Sequence, residues 1–289
     1  MKEFDLWDLN NEIVKKAYQQ KNYRIWDREI EGNRCLILFS GNGLFYPNTE
    51  TIFSDVILKR DRYEYQNLAK SNYLRGFRRI IFVRDIHKQW YITGINEECP
   101  DVFTTAELLK KETKGYTVTA AGNSAGGYAA VLFGLLIDAE MIFSFSGQYD
   151  ITGRKYAPFI EQYKEDELKS RFYNLRSLFD HGDARSKIYY FWPDRCEDDR
   201  LQHELVKGAE AIRSFEFISE KHERTVLPFQ IPYLLSLDKE RMEQLYRKYQ
   251  GRKIHAWHFL FSSMGILRGI AEVYHYLRVK ITSRRGCGN

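Results

Sequence analysis

Short apolar runs recur along the chain, and each one ends at polar or turn-forming residues. The first reads RCLILFS, from Arg34 to Ser40, and stops at Gly41-Asn42-Gly43. Five similar runs follow, at Arg79–Arg84, Tyr116–Ala121, Met141–Ser146, Lys187–Trp192 and Phe215–Ser219. Runs of this length predict strands that are buried on both faces, as in a parallel sheet. The earlier segment Tyr23–Ile30 alternates more between apolar and polar residues, which predicts an antiparallel edge strand.

Helical patterns lie between the predicted strands. Ala125–Ile137 is small and apolar, as is typical of a helix buried against a sheet, whereas Leu201–Ile212 and Arg241–Tyr249 are amphipathic. Pro158–Phe179 is charged and predicts a helical insertion long enough to cap a pocket. The alternation of strands and helices predicts an α/β fold with a mostly parallel sheet flanked by helices.

The chain has 289 residues, enough for one large domain or two small ones. It contains no internal repeat, no low-complexity linker and no clear domain boundary. We therefore predict one α/β domain over residues 1–251, with a helical cap insertion at about residues 153–183. A helical C-terminal extension would follow over residues 252–289.

Charge and cysteine content argue against several function classes. The chain carries 44 Lys and Arg against 39 Asp and Glu, and the two signs are mixed, so no tract for binding nucleic acid is predicted. No C-x-x-C pair occurs, and the cysteines favour a reducing compartment over a disulfide framework: Cys35, Cys99, Cys196 and Cys287. The opening MKEFDLWDLN does not resemble a signal peptide, and no apolar run reaches about 18 residues. A cytoplasmic protein is expected.

The segment YTVTAAGNSAGGYAAVLFG, from Tyr116 to Gly134, carries the clearest chemical signal. Its central Gly122-Asn123-Ser124-Ala125-Gly126 matches the G-x-S-x-G nucleophile elbow, with an apolar strand before it and a small-residue helix after it. Side chains at positions 122 and 126 would clash in such a sharp turn. Ser124 is therefore the predicted nucleophile, and the Ala125 N–H is placed to hold an oxyanion at the helix N-terminus.

A phosphate-binding loop or a purely structural turn is the alternative for this segment. Gly122 and Gly127 have the spacing of a P-loop, but Tyr128-Ala129 stands where Lys-Ser/Thr is needed. The dinucleotide fingerprint G-x-G-x-x-G is absent as well. The flanking strand and helix favour the elbow.

A serine nucleophile needs a base and an acid, which follow the elbow in the order acid, then histidine. His222 comes three residues after the predicted strand FEFIS, where such a base is expected. His203 lies within a predicted amphipathic helix and should face solvent. His255 and His258 lie in an apolar segment and should pack.

The acid should follow the predicted strand KIYYFW, in the stretch WPDRCEDDRLQ. A cluster of acids at a helix start often serves only as a cap. We rank Asp199 as the first candidate for the acid, Asp194 as the second and Asp198 as the third. All three remain candidates, and so does Glu197.

The second oxyanion donor is expected from the loop after the first parallel strand. Glycines in Ser40-Gly41-Asn42-Gly43 would let the N–H of Gly41 or Asn42 approach a substrate, although a tight turn without a catalytic role is the alternative. No metal site is predicted, because neither His203-Glu204 nor His222-Glu223 continues to H-E-x-x-H.

On these residues the chain resembles the α/β-hydrolase superfamily over most of residues 30–250. The resemblance depends on GNSAGG, the later acid cluster and His222. More narrowly, the chain is similar to serine-dependent O-acetyltransferases of bacterial capsule biosynthesis. The similarity includes Ser146-Gly147-Gln148, where relatives tend to carry a proline. The resemblance implies an α/β-hydrolase fold in which Ser124 is the nucleophile, His222 the base and Asp199 the acid.

The predicted extension holds most of the excess charge. Residues 252–289 contain seven Lys and Arg against one acidic residue, Glu272. A basic amphipathic helix of this kind either lies on an anionic membrane surface or packs on the domain or on a second subunit. We favour packing, because many terminal helices dock in this way.

The predicted function is serine-dependent acyl transfer, by an esterase or O-acetyltransferase acting on a saccharide in bacterial surface polysaccharide biosynthesis. The substrate would be a small-molecule ester or saccharide; no cofactor is expected, and acetyl-CoA would be the acyl donor of a transferase. The alternative is a catalytically silent partner or scaffold protein in an envelope assembly. The protein would be cytoplasmic, with peripheral contact at the inner membrane surface or homo-oligomer formation through the C-terminal helix.

Overall fold

The computed structural model describes residues 11–153, 157–179, 186–222 and 224–285. Within them, one sheet contains eight strands: β1 (Tyr23–Asp27), β2 (Arg34–Phe39), β3 (Arg79–Val83), β4 (Thr117–Asn123), β5 (Met141–Phe145), β6 (Lys187–Pro193), β7 (Ile212–Phe217) and β8 (Lys253–Ile254). Their order across the sheet is β1-β3-β2-β4-β5-β6-β7-β8. β1 pairs with β3 in the antiparallel direction, and every other neighbouring pair is parallel.

The six apolar runs form β2 to β7, which confirms the predicted mostly parallel sheet. β5 is buried along its whole length, and β2 is buried everywhere except at its first residue. Burial on both faces explains why these strands lack an alternating pattern. β1, from the alternating segment, lies at the edge of the sheet and is antiparallel, as predicted.

Helices cover both faces of the sheet. They are α1 (Glu12–Tyr18), α2 (Glu50–Phe53), α3 (Val102–Glu112), α4 (Ala125–Leu136), α5 (Ala157–Gln162), α6 (Glu167–Ser170), α7 (Glu197–Val206), α8 (Ile231–Ser236), α9 (Lys239–Tyr249), α10 (Ala256–Met264) and α11 (Ile266–Arg285). On one face, Ile37 and Phe39 of β2 belong to the same core cluster as α3 and α4. On the other face, Leu36 and Leu38 belong to a second cluster with α8, α9 and α10. Successive side chains of a strand point to opposite faces, so β2 contributes to both cores.

The segment predicted as a helical insertion contains short helices, α5 and α6, and a 3₁₀ turn at Leu175–Leu178. The Asp166 carboxylate accepts the first N–H groups of α6, and the Asn174 side chain accepts the Arg176 N–H at the start of the turn. Each of these caps begins a new helix. Residues 154–156 and 180–185 of the predicted insertion lie outside the described residues.

The predicted helix over Leu201–Ile212 is wrong at both ends. α7 begins earlier, at Glu197, and β7 already begins at Ile212. Acidic side chains at the start of α7 complement the partial positive charge of a helix N-terminus. Several side chains of β7 are only half-buried, and some of them are polar. These polar residues extend the amphipathic pattern of α7 past the end of the helix, so the predicted helix is too long.

The sheet continues past residue 251. β8 pairs with β7, and α10 buries Phe259 and Leu260 completely. The Phe259 ring packs edge-on against Phe191, Phe215 and Phe217 of the sheet. Residues 253–264 are therefore part of the main core, and α11 follows them. Among the described residues, no helix has the length and apolar character needed to cross a membrane.

Candidate active site

β4 and α4 meet in a sharp turn that carries Ser124. This residue has φ 53° and ψ −119°, a backbone conformation that residues other than glycine rarely adopt. A Cβ on Gly122 would lie 2.1 Å from the Gly126 carbonyl oxygen, and one on Gly126 would lie 2.3 Å from the Phe39 carbonyl oxygen. The steric reason predicted for the two glycines is therefore confirmed. The turn presents the Ser124 hydroxyl at the carboxyl end of the parallel strands.

His222 lies on the loop after β7 and reaches Ser124. Its Nε2 atom is 2.9 Å from the Ser124 Oγ, a distance suited to proton transfer. The buried Ser146 hydroxyl donates a hydrogen bond to the backbone carbonyl of His222 and so anchors this loop. The structure thus brings the predicted base and the predicted nucleophile together.

Asp199 is the acid that the structure places beside His222. Its Oδ2 lies 2.7 Å from the His222 Nδ1, and its side chain is 1% exposed in the first turn of α7. The partial positive charge of the helix N-terminus stabilises a carboxylate at this place. Asp194 instead accepts a hydrogen bond from the Lys253 Nζ at 2.8 Å, and Asp198 is exposed. Among the three acids ranked from the sequence, Asp199 is the one that bonds to His222, which in turn bonds to Ser124.

The backbone N–H groups predicted to bind an oxyanion differ in the hydrogen bonds that they already make. The Ala125 N–H lies at the first position of α4, where backbone N–H groups have no partner within the helix. The Gly41 N–H donates to the Glu64 Oε2 at 2.6 Å. A substrate oxygen can use the Gly41 N–H only when this carboxylate moves away. Asn42 lines the same cavity as Ser124.

Gln148 is a further polar group at Ser124, and it is not among the site residues predicted from the sequence. Its Nε2 lies 3.4 Å from both the Ser124 Oγ and the His222 Nε2. Its Oε1 accepts the indole N–H of Trp90 at 3.1 Å, which directs the NH₂ group toward the reactive pair. The sequence signal for Gln148 is its position, because it is a polar residue that follows shortly after the carboxyl end of β5. Trp90 and Glu64 lie in loops whose course the sequence does not predict.

Two cavities adjoin the Ser124–His222 pair. The first lies on the His222 side and has a volume of 420 Å³; its polar lining includes Gln148, Asp150, Asp198 and Gln202. The second lies on the Gly41 side and has a volume of 740 Å³; its lining includes Asn42, Arg62, Tyr63, Glu64 and Asn67. The first cavity is therefore acidic, whereas the second combines both charges with aromatic and amide groups.

A buried loop after β3 supports the Gly41 side. The Asp85 carboxylate accepts hydrogen bonds from three backbone N–H groups, those of His87, Gln89 and Tyr91. The Tyr91 hydroxyl donates to the Ser40 carbonyl at 2.8 Å, directly before Gly41. Burial raises the pKa of Asp85 to about 6, although the three N–H groups act in the opposite direction. This loop therefore holds the backbone that leads into Gly41.

Cys196, Asp199 and His222 form a group that could hold a metal ion, since their ligand atoms all lie within 4.8 Å of one another. The His222 Nδ1 and the Asp199 Oδ2 are 2.7 Å apart, the length of a direct charge-assisted hydrogen bond. Burial raises the pKa of the Cys196 thiol, which disfavours the thiolate that a metal binds. We interpret the Asp–His pair as an orienting hydrogen bond rather than as a metal centre.

Three other histidines differ from their predicted surroundings. His203 is mostly buried and stacks on Trp192, with ring centroids 4.1 Å apart, so the prediction that it faces solvent is wrong. Burial lowers the pKa of His203. His255 and His258 are exposed rather than packed, because α10 turns Phe259 and Leu260 toward the core instead.

No protein-family model matches the sequence, and no curated protein matches it. Solved structures do match the fold. The capsule O-acetyltransferase of Neisseria meningitidis serogroup A matches over 80% of this chain and 90% of that chain, with 14% identity and a TM-score of 0.50. A second structure of that enzyme covers 79% and 93% at the same identity and TM-score. An S-formylglutathione hydrolase from Agrobacterium tumefaciens covers 81% and 93%, with 14% identity and a TM-score of 0.45.

The protein has the α/β-hydrolase fold. In the α/β-hydrolase fold, nucleophile, acid and histidine follow one another along the chain, each after a different strand. Ser124, Asp199 and His222 follow β4, β6 and β7 in this order. Fold alone does not determine activity, so the chemistry must be argued from the site itself.

Proposed function

We propose that this protein is a serine-dependent acyltransferase or esterase that forms an acyl-enzyme on Ser124. One observation carries this assignment. The Ser124 Oγ is 2.9 Å from the His222 Nε2, and the His222 Nδ1 is 2.7 Å from the Asp199 Oδ2. A hydroxyl, an imidazole and a buried carboxylate in this order form the arrangement that activates a serine.

In the first half-reaction, the Ser124 Oγ attacks the carbonyl carbon of an ester or thioester while the His222 Nε2 takes its proton. The Ala125 N–H stabilises the negative charge that forms on the carbonyl oxygen. Asp199 keeps the imidazole proton on Nδ1 and stabilises the imidazolium. The bond to the leaving group then breaks, the leaving group takes the proton from His222, and the acyl group stays on Ser124.

In the second half-reaction, the oxygen of water or of an acceptor hydroxyl attacks the acyl-enzyme. His222 takes the proton of that oxygen and returns it to the Ser124 Oγ when the ester bond to the enzyme breaks. Both the first leaving group and the acceptor exchange a proton with the His222 Nε2, so they belong on the side of the 420 Å³ cavity. The Gln148 NH₂ group faces the same side and can donate to the acceptor oxygen.

We propose a saccharide of a bacterial surface polysaccharide as the acceptor. Carboxylate and carboxamide groups in the first cavity suit hydroxyl groups, and the negative charge of Asp150 and Asp198 disfavours an anionic acceptor. A capsule O-acetyltransferase shares the fold over most of both chains, which supports this choice. The same chemistry accepts an ester or a thioester donor; with acetyl-CoA as donor, the anionic phosphates would have to lie outside the acidic cavity.

Labelling by a fluorophosphonate probe and turnover of p-nitrophenyl acetate test the mechanism. The wild type should be labelled at Ser124, and Ser124→Ala should lose labelling and about 10⁴-fold or more of the turnover. Ser262→Ala, in α10, is a matched control that should keep both. Full turnover by Ser124→Ala would reject the mechanism.

Two further outcomes would favour other assignments. Loss of turnover in EDTA, with recovery on adding zinc, would favour a metal centre at Cys196, Asp199 and His222. A folded wild type that neither reacts with the probe nor turns over any ester would favour the silent scaffold protein.

A further inference from the structure

α11 presents an apolar stripe to solvent. The stripe consists of Ile266, Leu267, Ile270, Tyr274 and Leu277, whose exposed fractions range from 50% to 85%. Leu267, Ile270, Tyr274 and Leu277 follow one another at intervals of three and four residues, so they lie on one face of the helix. In a globular protein such a face normally packs on the core. Here it points away from the domain.

The opposite face of α11 attaches the helix to the domain. The Tyr73 hydroxyl donates to the Glu272 carboxylate at 3.0 Å, and the Tyr276 ring lies 5.0 Å from the Phe229 ring. Glu272 and Tyr276 lie away from the stripe on the helix circumference. α11 therefore docks through a different side and leaves its apolar side uncovered.

The charge of α11 is strongly positive. Its basic residues are Arg268, Arg278, Lys280, Arg284 and Arg285, and Glu272 is the single acidic residue in its sequence. Glu272 lies on the docked face, where it accepts the Tyr73 hydroxyl, and its single negative charge leaves α11 with four positive charges in excess. Trp257, on the preceding helix α10, is also 52% exposed. Exposed apolar and aromatic side chains together with basic ones are typical of helices that lie in the surface of an anionic bilayer.

We propose that α11 binds the surface of an anionic lipid bilayer, with the stripe among the headgroups and the net positive charge of the helix attracted to the lipid phosphates. Charge decides between this occupant and a second copy of the chain. A second copy would cover the apolar side chains but would double the positive charge at the contact. An anionic bilayer covers the same side chains and supplies the opposite charge. This binding is independent of the proposed acyl transfer.

Flotation of the purified full-length protein with vesicles measures the binding. Vesicles of phosphatidylcholine with phosphatidylglycerol should carry at least about tenfold more protein than phosphatidylcholine alone, and 1 M salt should remove most of the difference. The pair Leu267→Gln/Ile270→Gln should abolish flotation. The pair Arg268→Gln/Arg278→Gln should weaken it about 25-fold, or about fivefold for each basic residue. Glutamine keeps good helix propensity, so both pairs should fold.

Leu168→Gln is the matched control, since this leucine of α6 is 58% exposed and lies outside α11. It should float like the wild type, and all variants should keep the circular dichroism spectrum and the ester turnover of the wild type. Absence of flotation on anionic vesicles would overturn lipid binding, and so would equal flotation of Leu267→Gln/Ile270→Gln. A wild-type dimer in sedimentation that this pair converts to a monomer, without lipid binding, would assign the stripe to a second copy.

Discussion

On the His222 side of Ser124, side chains from three strand ends are joined by hydrogen bonds of 2.9 and 2.7 Å. On the Gly41 side, the N–H that could hold an oxyanion donates to the Glu64 carboxylate at 2.6 Å. The hydrogen bonds of the first side are formed without a substrate. The second side holds a carboxylate where the proposed reaction would develop negative charge. The hydrogen bonds for the proposed proton transfer are therefore already formed, whereas the Gly41 N–H proposed for oxyanion binding is occupied.

The two sides also differ in how they are supported. On the His222 side, each functional residue follows a strand of one parallel sheet, so the sheet itself brings them together. On the Gly41 side, the Glu64 loop and the Asp85 loop meet through hydrogen bonds between segments far apart in sequence.

The largest effect is expected from Asp199→Asn. An asparagine can stabilise the wrong imidazole tautomer and cannot stabilise the imidazolium, so kcat for p-nitrophenyl acetate should fall about 10⁴-fold. Asp194→Asn is the control, because Asp194 contacts Lys253 rather than His222, and should change kcat by about threefold at most. A larger loss in Asp194→Asn than in Asp199→Asn would mean that the acid is assigned to the wrong residue.

The His222 side could be predicted from the sequence because local rules place its residues. The elbow requires glycines on both sides of Ser124, and the order of acid and histidine follows the order of the strands. What the sequence does not decide is which acid faces the histidine. Asp198 and Asp199 are neighbours, and only the turn of α7 places one of them inside and the other in solvent.

The Gly41 side and the C-terminal elements could not be predicted to the same extent. Glu64 reaches Gly41 and Trp90 reaches Gln148 through loops that have no regular period. β8 contains only Lys253 and Ile254, too few residues for a pattern to form. Such contacts depend on tertiary packing, so no local signal in the sequence marks them.

Gln148→Ala tests whether the His222 side also binds the acceptor. With a p-nitrophenyl ester, whose leaving group needs little help, acylation should change little. Transfer to an added sugar hydroxyl should fall about tenfold, the value of one hydrogen bond. Trp90→Phe removes the N–H that orients the amide and should cause a smaller loss in the same direction. Rapid-mixing kinetics with and without methyl glucoside separates the two steps, and an equal loss in both would contradict an acceptor role.

Glu64→Gln tests whether the carboxylate on the Gly41 side opposes the reaction. Glutamine can still accept the Gly41 N–H but carries no charge. A carboxylate close to the developing oxyanion costs roughly 1 kcal/mol, so the acylation rate should rise about fivefold. The release of p-nitrophenol in the first turnover measures this rate. A decrease of tenfold or more would show that the Glu64 carboxylate serves the reaction rather than opposing it.

The smallest effect on activity is expected from Asp85→Asn, which changes the support of the Gly41 side without entering the site. Burial raises the pKa of Asp85 to about 6, from 3.8, so the folded protein binds this proton more tightly than the unfolded chain does. The stability that this protonation contributes is present below about pH 4 and is lost as the pH rises through about 6. Asparagine stays neutral, so the free energy of unfolding of the variant relative to the wild type should rise by roughly 2 kcal/mol between pH 4 and pH 7. Urea unfolding at both pH values measures this difference. A difference that does not change with pH would show that Asp85 titrates alike in the folded and unfolded chains, and that the hydrogen bonds of its loop offset its burial.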